Sequence, residues 1–121
     1  MDKKVLDILN HEGVVTIISK GKDDFHVANT WNSYIHVHDD LFLIPAAGMH
    51  HIEDDVKHDS HLYLTIGSKE VEGTVGPGAG FHLQGIGSFI TQGEFYDEMK
   101  KDFPFLSRVL VVKIEQADQK I

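Results

Sequence analysis

Six or seven short extended runs, each closed by turn residues, fill most of this 121-residue chain, and they do not alternate with helices. A parallel sheet needs a long, usually helical crossover between strands, so this spacing leaves an antiparallel sheet as the main option. Residues 14–19 form a β-branched apolar run, and Lys20-Gly21-Lys22-Asp23-Asp24 supplies turn chemistry before residues 25–30 resume the extended pattern. Residues 34–38 and 41–45 flank Asp39-Asp40 as a second hairpin, with Tyr34, His36 and His38 on one face and Ile35 and Val37 on the other. Residues 62–67, 81–92 and 109–115 read as further strands; Gly85 and Gly87 mark a bend, a bulge or a close backbone approach. So many strands in so few residues predict a closed or partly open barrel, as one domain over residues 1–121.

Three short helices complete the reading. Val5, Leu6, Ile8 and Leu9 share a helical face over residues 2–11, with Gly13 as the stop. Residues 49–59 carry Glu53, Asp54 and Asp55 in their first turns, where unpaired N–H groups favour negative charge. Residues 93–102 place Phe95 and Met99 four apart, and Pro104 follows.

Charge and composition exclude several functions. The chain has 11 Lys+Arg against 19 Asp+Glu, a formal charge of −8, which opposes nucleic acid and polybasic attachment to anionic membranes. With no cysteine there is no disulfide, thiolate metal site or thiol nucleophile. No apolar run approaches the ~18 residues of a membrane span, and the first residues do not read as a signal peptide, so a cytoplasmic protein is expected.

Some constellations look chemical and fall short. Gly76-Pro77-Gly78-Ala79-Gly80 lacks both the dinucleotide spacing and the Lys-Ser/Thr of a phosphate loop, and reads as a turn between strands. His36 and His38 share a strand face, as in a cupin-like metal barrel, yet Asp39-Asp40 follows where such a site wants a glutamate. His51, Asp55 and His58 share a helix face that suits a metal or plain solvation. Nothing resembles a nucleophile elbow, and Glu12 by spacing alone is a solvated carboxylate.

Two segments are more specific. Asn29-Thr30-Trp31-Asn32-Ser33-Tyr34 gathers amide, hydroxyl and aromatic groups at a strand end, a platform for a planar heteroaromatic ligand or else a buried Trp among turn residues. Pro45-Ala46-Ala47-Gly48-Met49-His50-His51-Ile52 runs small residues into a helix start, where a ligand can approach backbone and free N–H groups favour phosphate. One platform and one anion cradle point to a mononucleotide-like ligand.

These two strings, together with Gly76-Pro77-Gly78-Ala79-Gly80-Phe81 and Asn10-His11-Glu12-Gly13-Val14-Val15, resemble the small FMN-binding proteins of the split-barrel superfamily that includes pyridoxamine 5′-phosphate oxidase. The likeness runs from Asn10 to Ile121 in order and spacing. It implies a mainly β fold, a six-stranded antiparallel split barrel with short flanking helices, and a homodimer that buries FMN at its interface. It also implies that Asn29, Thr30 and Trp31 line the flavin and its side chain, and that Ala47, Gly48, Met49, His50, His51 and Ile52 surround the ribityl phosphate. Glu12 and Ile121 would approach the flavin bound by the partner chain.

One departure has consequences. Where members of the family carry Lys then Thr after the Met-His pair, this chain has His51 and Ile52, followed by three carboxylates. A histidine contact would make affinity fall as pH rises through the imidazole range near ~6.5. The expected role is electron transfer or flavin-dependent oxidoreduction, with a basic protein as redox partner; no catalytic residue is evident. One arginine, Arg108, argues against pyridoxamine phosphate oxidation. The alternatives are a metal-binding barrel using His36 and His38, or a ligand-binding module without redox chemistry.

Overall fold

A computed structural model describes residues 1–121. The order is α1 (Lys3–Leu9), β1 (Val14–Lys20), β2 (Phe25–Trp31), a 3-10 turn (Asn32–Tyr34), β3 (His36–His38), β4 (Leu41–Ala46), α2 (His50–His58), β5 (His61–Glu72), β6 (Pro77–Ile90), α3 (Glu94–Asp102) and β7 (Arg108–Gln119). All seven strands join one antiparallel sheet in the order β2-β1-β5-β6-β7-β4-β3. The expected mainly β antiparallel architecture holds, with seven strands rather than six. The three-residue β3, within the expected run of residues 34–38, pairs only with β4. β2 and β3 are the two sheet edges, joined by the 3-10 turn, so the barrel is split between them.

Strand alternation explains where the core sits. Val15 and Ile17 of β1, Phe42 and Ile44 of β4, Leu62, Leu64 and Ile66 of β5, and Leu110, Val112 and Ile114 of β7 face one 19-residue apolar cluster. On β4 and β7 the intervening Leu43 and Val109 are buried too, in a second cluster with Met99, Phe103 and Leu106 beneath α3. That double burial is why residues 41–45 read as a continuous apolar run. α1 is capped by the Asp2 side chain, which accepts from Lys4 N at 2.7 Å, and it buries Val5, Ile8 and Leu9. Leu6, placed on the same face by the sequence reading, turns outward at 36% exposure, because only the i, i+3, i+4 stripe meets the barrel.

Three boundaries differ for physical reasons. β5 runs on to Glu72 and β6 starts at Pro77, beyond the sequence limits of 67 and 81. The extension is a largely solvated ribbon in which Val71 is buried while Lys69, Glu70 and Glu72 are exposed, so it lacks an apolar signal. Pro77–Gly80 is therefore strand rather than turn, and the reversal occurs at Gly73–Gly76, where Gly73 N donates to Gly76 O at 2.8 Å. Tyr34 lies in the 3-10 turn and does not share a strand face with His36 and His38. The expected irregularity at Gly85 is real: the β6–β7 register shifts there, and a Cβ at Gly85 would lie 2.5 Å from the Lys113 carbonyl oxygen. No helix is long and apolar enough to cross a membrane.

Candidate functional site

β2 is an edge strand, so its outer residues have no sheet neighbour to cover them. Trp31 ends this strand at 46% exposure, which replaces the buried-Trp alternative with an open aromatic surface. Beside it lies a cavity of about 310 Å³, lined by Ala28, Asn29, Thr30, Trp31, Tyr34, Pro45, Ala47, Gly48, Met49 and Phe105. Next to that, and sharing Ala28 and Met49, is one of about 320 Å³ lined by His26, Val27, Ala28, Met49, His50, His51 and Ile52. The two expected segments thus meet in one groove. Each half alone falls in the ~300 Å³ range at the small end of ligand pockets. Within it Asn29 Oδ1 accepts from Thr16 Oγ1 at 3.0 Å, and Thr30 is buried.

The loop that closes the groove is braced from behind. Ser107 N donates to Ala46 O at 2.9 Å, and Ser107 Oγ donates to Ala46 O at 3.2 Å. The buried Arg108 guanidinium donates to Gly48 O and to Ser107 Oγ, lies 5.6 Å from the Phe89 ring centroid, and has Nε 3.0 Å from Glu53 Oε1. That last approach is an ion pair without hydrogen-bond alignment, leaving Nε without a partner. These contacts occupy the Ala46 and Gly48 carbonyl oxygens of the loop. Met49 sits in the left-handed region (φ 63°) and turns the chain into α2, whose first amides, those of His50, His51 and Ile52, have no acceptor in the chain. Unpaired N–H groups at this helix start suit an anion, as do the histidines beside them.

The three carboxylates after Ile52 do not confront that anion position. Glu53 pairs with Arg108, and Asp54 lies 3.8 Å from Lys57 at the surface. Asp55 is buried, where its Oδ2 accepts from Ser19 Oγ at 2.6 Å and lies 2.6 Å from His26 Nδ1. Burial pushes the Asp55 carboxyl up, but the Ser19 and His26 hydrogen bonds and the nearby His26 and His51 rings outweigh it, so the net shift is below its ordinary value of 3.8. His51 stacks on His26, with ring centroids 4.7 Å apart and planes at 15°. His51, Asp55 and His58 do not act as one set, because His58 turns back to the Asp54 carbonyl oxygen.

Other expected site residues lie elsewhere. Glu12 does not line the groove; its Oε2 accepts from Ser33 Oγ at 2.8 Å, the chief reason its carboxyl lies below the ordinary value. Ile121 lines a different cavity, of about 510 Å³, with Gly67, Gly78 and Gly80. His36 Nδ1 and His38 Nε2 lie 2.7 and 2.9 Å from Glu98, and His36 Nε2 lies 3.0 Å from Asp102. No group of three or more His, Asp or Glu is arranged to hold a metal ion. Hydrogen bonds to His38 and then His36 hold the Glu98 carboxyl below its ordinary value of 4.5. A depressed folded value means stability that is present above 4.5 and lost as pH falls through the folded value. Glu98→Gln is therefore expected to flatten the acid limb of stability below that point; an unchanged acid unfolding curve by circular dichroism would contradict it.

An FMN-binding protein of Nitratidesulfovibrio vulgaris (strain DSM 19637 / Miyazaki F) is 38% identical to this chain over 114 residues, 93% of each. The chain belongs to the FMN-binding protein family. No protein-family model matches it. Among solved structures, an FMN-binding protein from Syntrophomonas wolfei subsp. wolfei superimposes with a TM-score of 0.73 at 18% identity, covering 98% of this chain and 85% of that one. HupZ of Group A Streptococcus superimposes with a TM-score of 0.78 at 11% identity, covering 97% and 91%. The fold is the split barrel shared with pyridoxamine 5′-phosphate oxidase-like proteins.

Within this family fold, sequence reasoning missed Arg108, Ser107 and His26. The signal for Arg108 was present: it is the lone arginine, at the head of the apolar run 109–112. His26 gave no signal, since only the packing of α2 against β2 brings Asp55 to it.

Proposed function

We propose that this protein binds FMN in the groove between Trp31 and the start of α2 and transfers electrons as a homodimer. The observation that carries this reading is the joining of a half-exposed tryptophan to a small-residue loop whose following amides are unpaired. Asn29, Thr30 and Trp31 would hold the ring and its side chain; Ala47, Gly48, Met49, His50, His51 and Ile52 would surround the phosphate. Bound FMN supplies one- and two-electron chemistry, while the protein positions it and tunes its surroundings. The family relationship and the fit of the groove support the cofactor.

Dimerisation is supported by apolar side chains left open in one chain. Val27 on β2, Val75 at the β5–β6 turn and the terminal Ile121 are 59, 96 and 59% exposed. Pairing would bring Glu12 and Ile121, which do not line the groove of their own chain, to the flavin of the partner. The charge of −8 favours a basic redox partner in the cytoplasm.

The test is a spectrum of the purified protein followed by titration with FMN. Flavin absorbance, or quenching of added FMN fluorescence on binding, is the expected result; a colourless preparation that rejects FMN would falsify the reading. Affinity is expected to be weaker at about pH 8 than at about pH 6, because imidazoles beside the phosphate lose their charge as pH rises. Equal dissociation constants at the two pH values would show that the histidines do not meet the phosphate.

A further inference from the structure

We propose that His26 and His51, with Asp55 behind them, form a proton-linked clamp for the FMN phosphate, in which Asp55 is a positioning residue that never touches the ligand. This rests on the reading that the groove binds FMN. The two rings come from different elements, β2 and α2, and lie stacked in the cavity of about 320 Å³. With Nδ1 on Asp55, the Nε2 edge of His26 has no partner in the chain. A Cβ at Gly21 would lie 2.9 Å from His26 Cε1, so the β1–β2 turn packs closely against the ring.

The charges explain the coupling to protons. Two stacked imidazoliums repel, and in the free protein Asp55 supplies one compensating negative charge. The one carboxylate therefore balances one imidazolium charge and not two. A phosphate arriving at the open edge adds the missing negative charge and favours a second proton, taken from solvent. By linkage, raising the pH must then weaken phosphate binding. Asp55 cannot swing toward the phosphate, because the same oxygen is held by Ser19 on β1.

Behind Asp55 lies an open cavity of about 450 Å³, lined by Lys20, Gly21, Lys22, Asp54, Asp55, His58 and Asp59. It gives solvent a route to the far side of the dyad. The other charged or titratable groups lining the two cavities are Lys20 at the end of β1, Lys22 of the β1–β2 turn, Asp54 and His58 of α2, Asp59 after it, and His50 at its start. Two lysines stand against two aspartates there, so the formal charges of these four cancel and Asp55 sets the sign at His26.

The experiment is calorimetric titration near pH 7.5 with FMN and with riboflavin, which lacks the phosphate, in buffers of different ionisation enthalpy. Uptake of about one proton per FMN and none per riboflavin is expected. Asp55→Asn and His26→Gln should each abolish the uptake and weaken FMN by about tenfold, the scale of one charge-assisted hydrogen bond, with the loss falling on FMN and not on riboflavin. FMN binding without proton uptake, or the same uptake in both variants, overturns the clamp while leaving the flavin site intact. Failure of the wild type to bind either flavin removes the flavin site instead. The clamp is then judged by side-chain NMR of His26 and His51 in the free chain: shifts of both with inorganic phosphate, absent in His26→Gln, support it, and no shift overturns it.

Discussion

Trp31→Ala is expected to weaken FMN binding by about tenfold to a hundredfold, the range that stacking of a planar base on an aromatic side chain supplies. The fold should scarcely change. Trp31 ends an edge strand, is 46% exposed and makes no ring contact with another aromatic side chain, so little core packing is removed. The informative comparison is with riboflavin, which should lose affinity in parallel because the ring and not the phosphate meets the tryptophan. FMN titration by fluorescence, with thermal unfolding as the control, separates the outcomes. A variant that binds FMN as tightly as the wild type would move the isoalloxazine ring off this platform.

Asn32→Ala is expected to cost about 2–4 kcal/mol, the penalty for stranding buried polar groups. Asn32 is fully buried next to the platform. Its Nδ2 donates to Ile8 O at 3.1 Å, His11 O at 2.8 Å and Gly67 O at 3.2 Å, tying the end of α1 and strand β5 to the turn after β2. Its backbone N donates to Gly13 O at 2.9 Å. Its Oδ1 is buried without a partner, so alanine removes one orphan acceptor; it also takes a donor from His11 O and Gly67 O, while Ile8 O keeps the His11 N–H. In a domain of this size the loss corresponds to a fall in Tm of roughly 10 °C. A Tm within about 2 °C of the wild type would mean that water or backbone movement satisfies those carbonyls. Asn32→Asp should fare no better, since it turns a carboxylate oxygen toward the same three acceptors.

Much of the fold was legible because the barrel depends on local patterns. The β-branched apolar run at residues 14–19, alternation in residues 34–38 and turn chemistry at residues 20–24 all act within a few residues. What escaped was structure without an apolar signature. The ribbon at residues 69–72 carries exposed Lys69, Glu70 and Glu72 around a single buried Val71, too little apolar pattern to extend β5 past Gly67.

The groove was legible in its walls and not in its supports. Trp31, Asn29 and the run Ala47–Gly48–Met49 stood out by residue type, and the structure brings them together. In the sequence the acidic triplet Glu53-Asp54-Asp55 directly follows the expected phosphate segment. In the fold Glu53 meets Arg108, 55 residues along the chain, and Asp55 meets His26, 29 residues back. Such pairings carry no local trace, because sequence neighbours do not determine which distant charge a carboxylate will neutralise. The same holds for His36 and His38, which share a strand face as expected but turn to Glu98 on α3.

By itself the sequence determined an antiparallel, mainly β chain, its family, and the two segments that line the groove. Periodicity and residue type act over short distances, and 38% identity over nearly the whole chain carries the relationship. Only the tertiary structure decided that the strands pair in the order β2-β1-β5-β6-β7-β4-β3 and that the barrel stays split between β2 and β3. It also decided that Arg108 braces the Gly48 loop and that a buried aspartate stands behind the histidine pair. Those outcomes depend on which strand edges and side chains meet across the barrel, and that is settled by packing over long range rather than by any neighbouring residue.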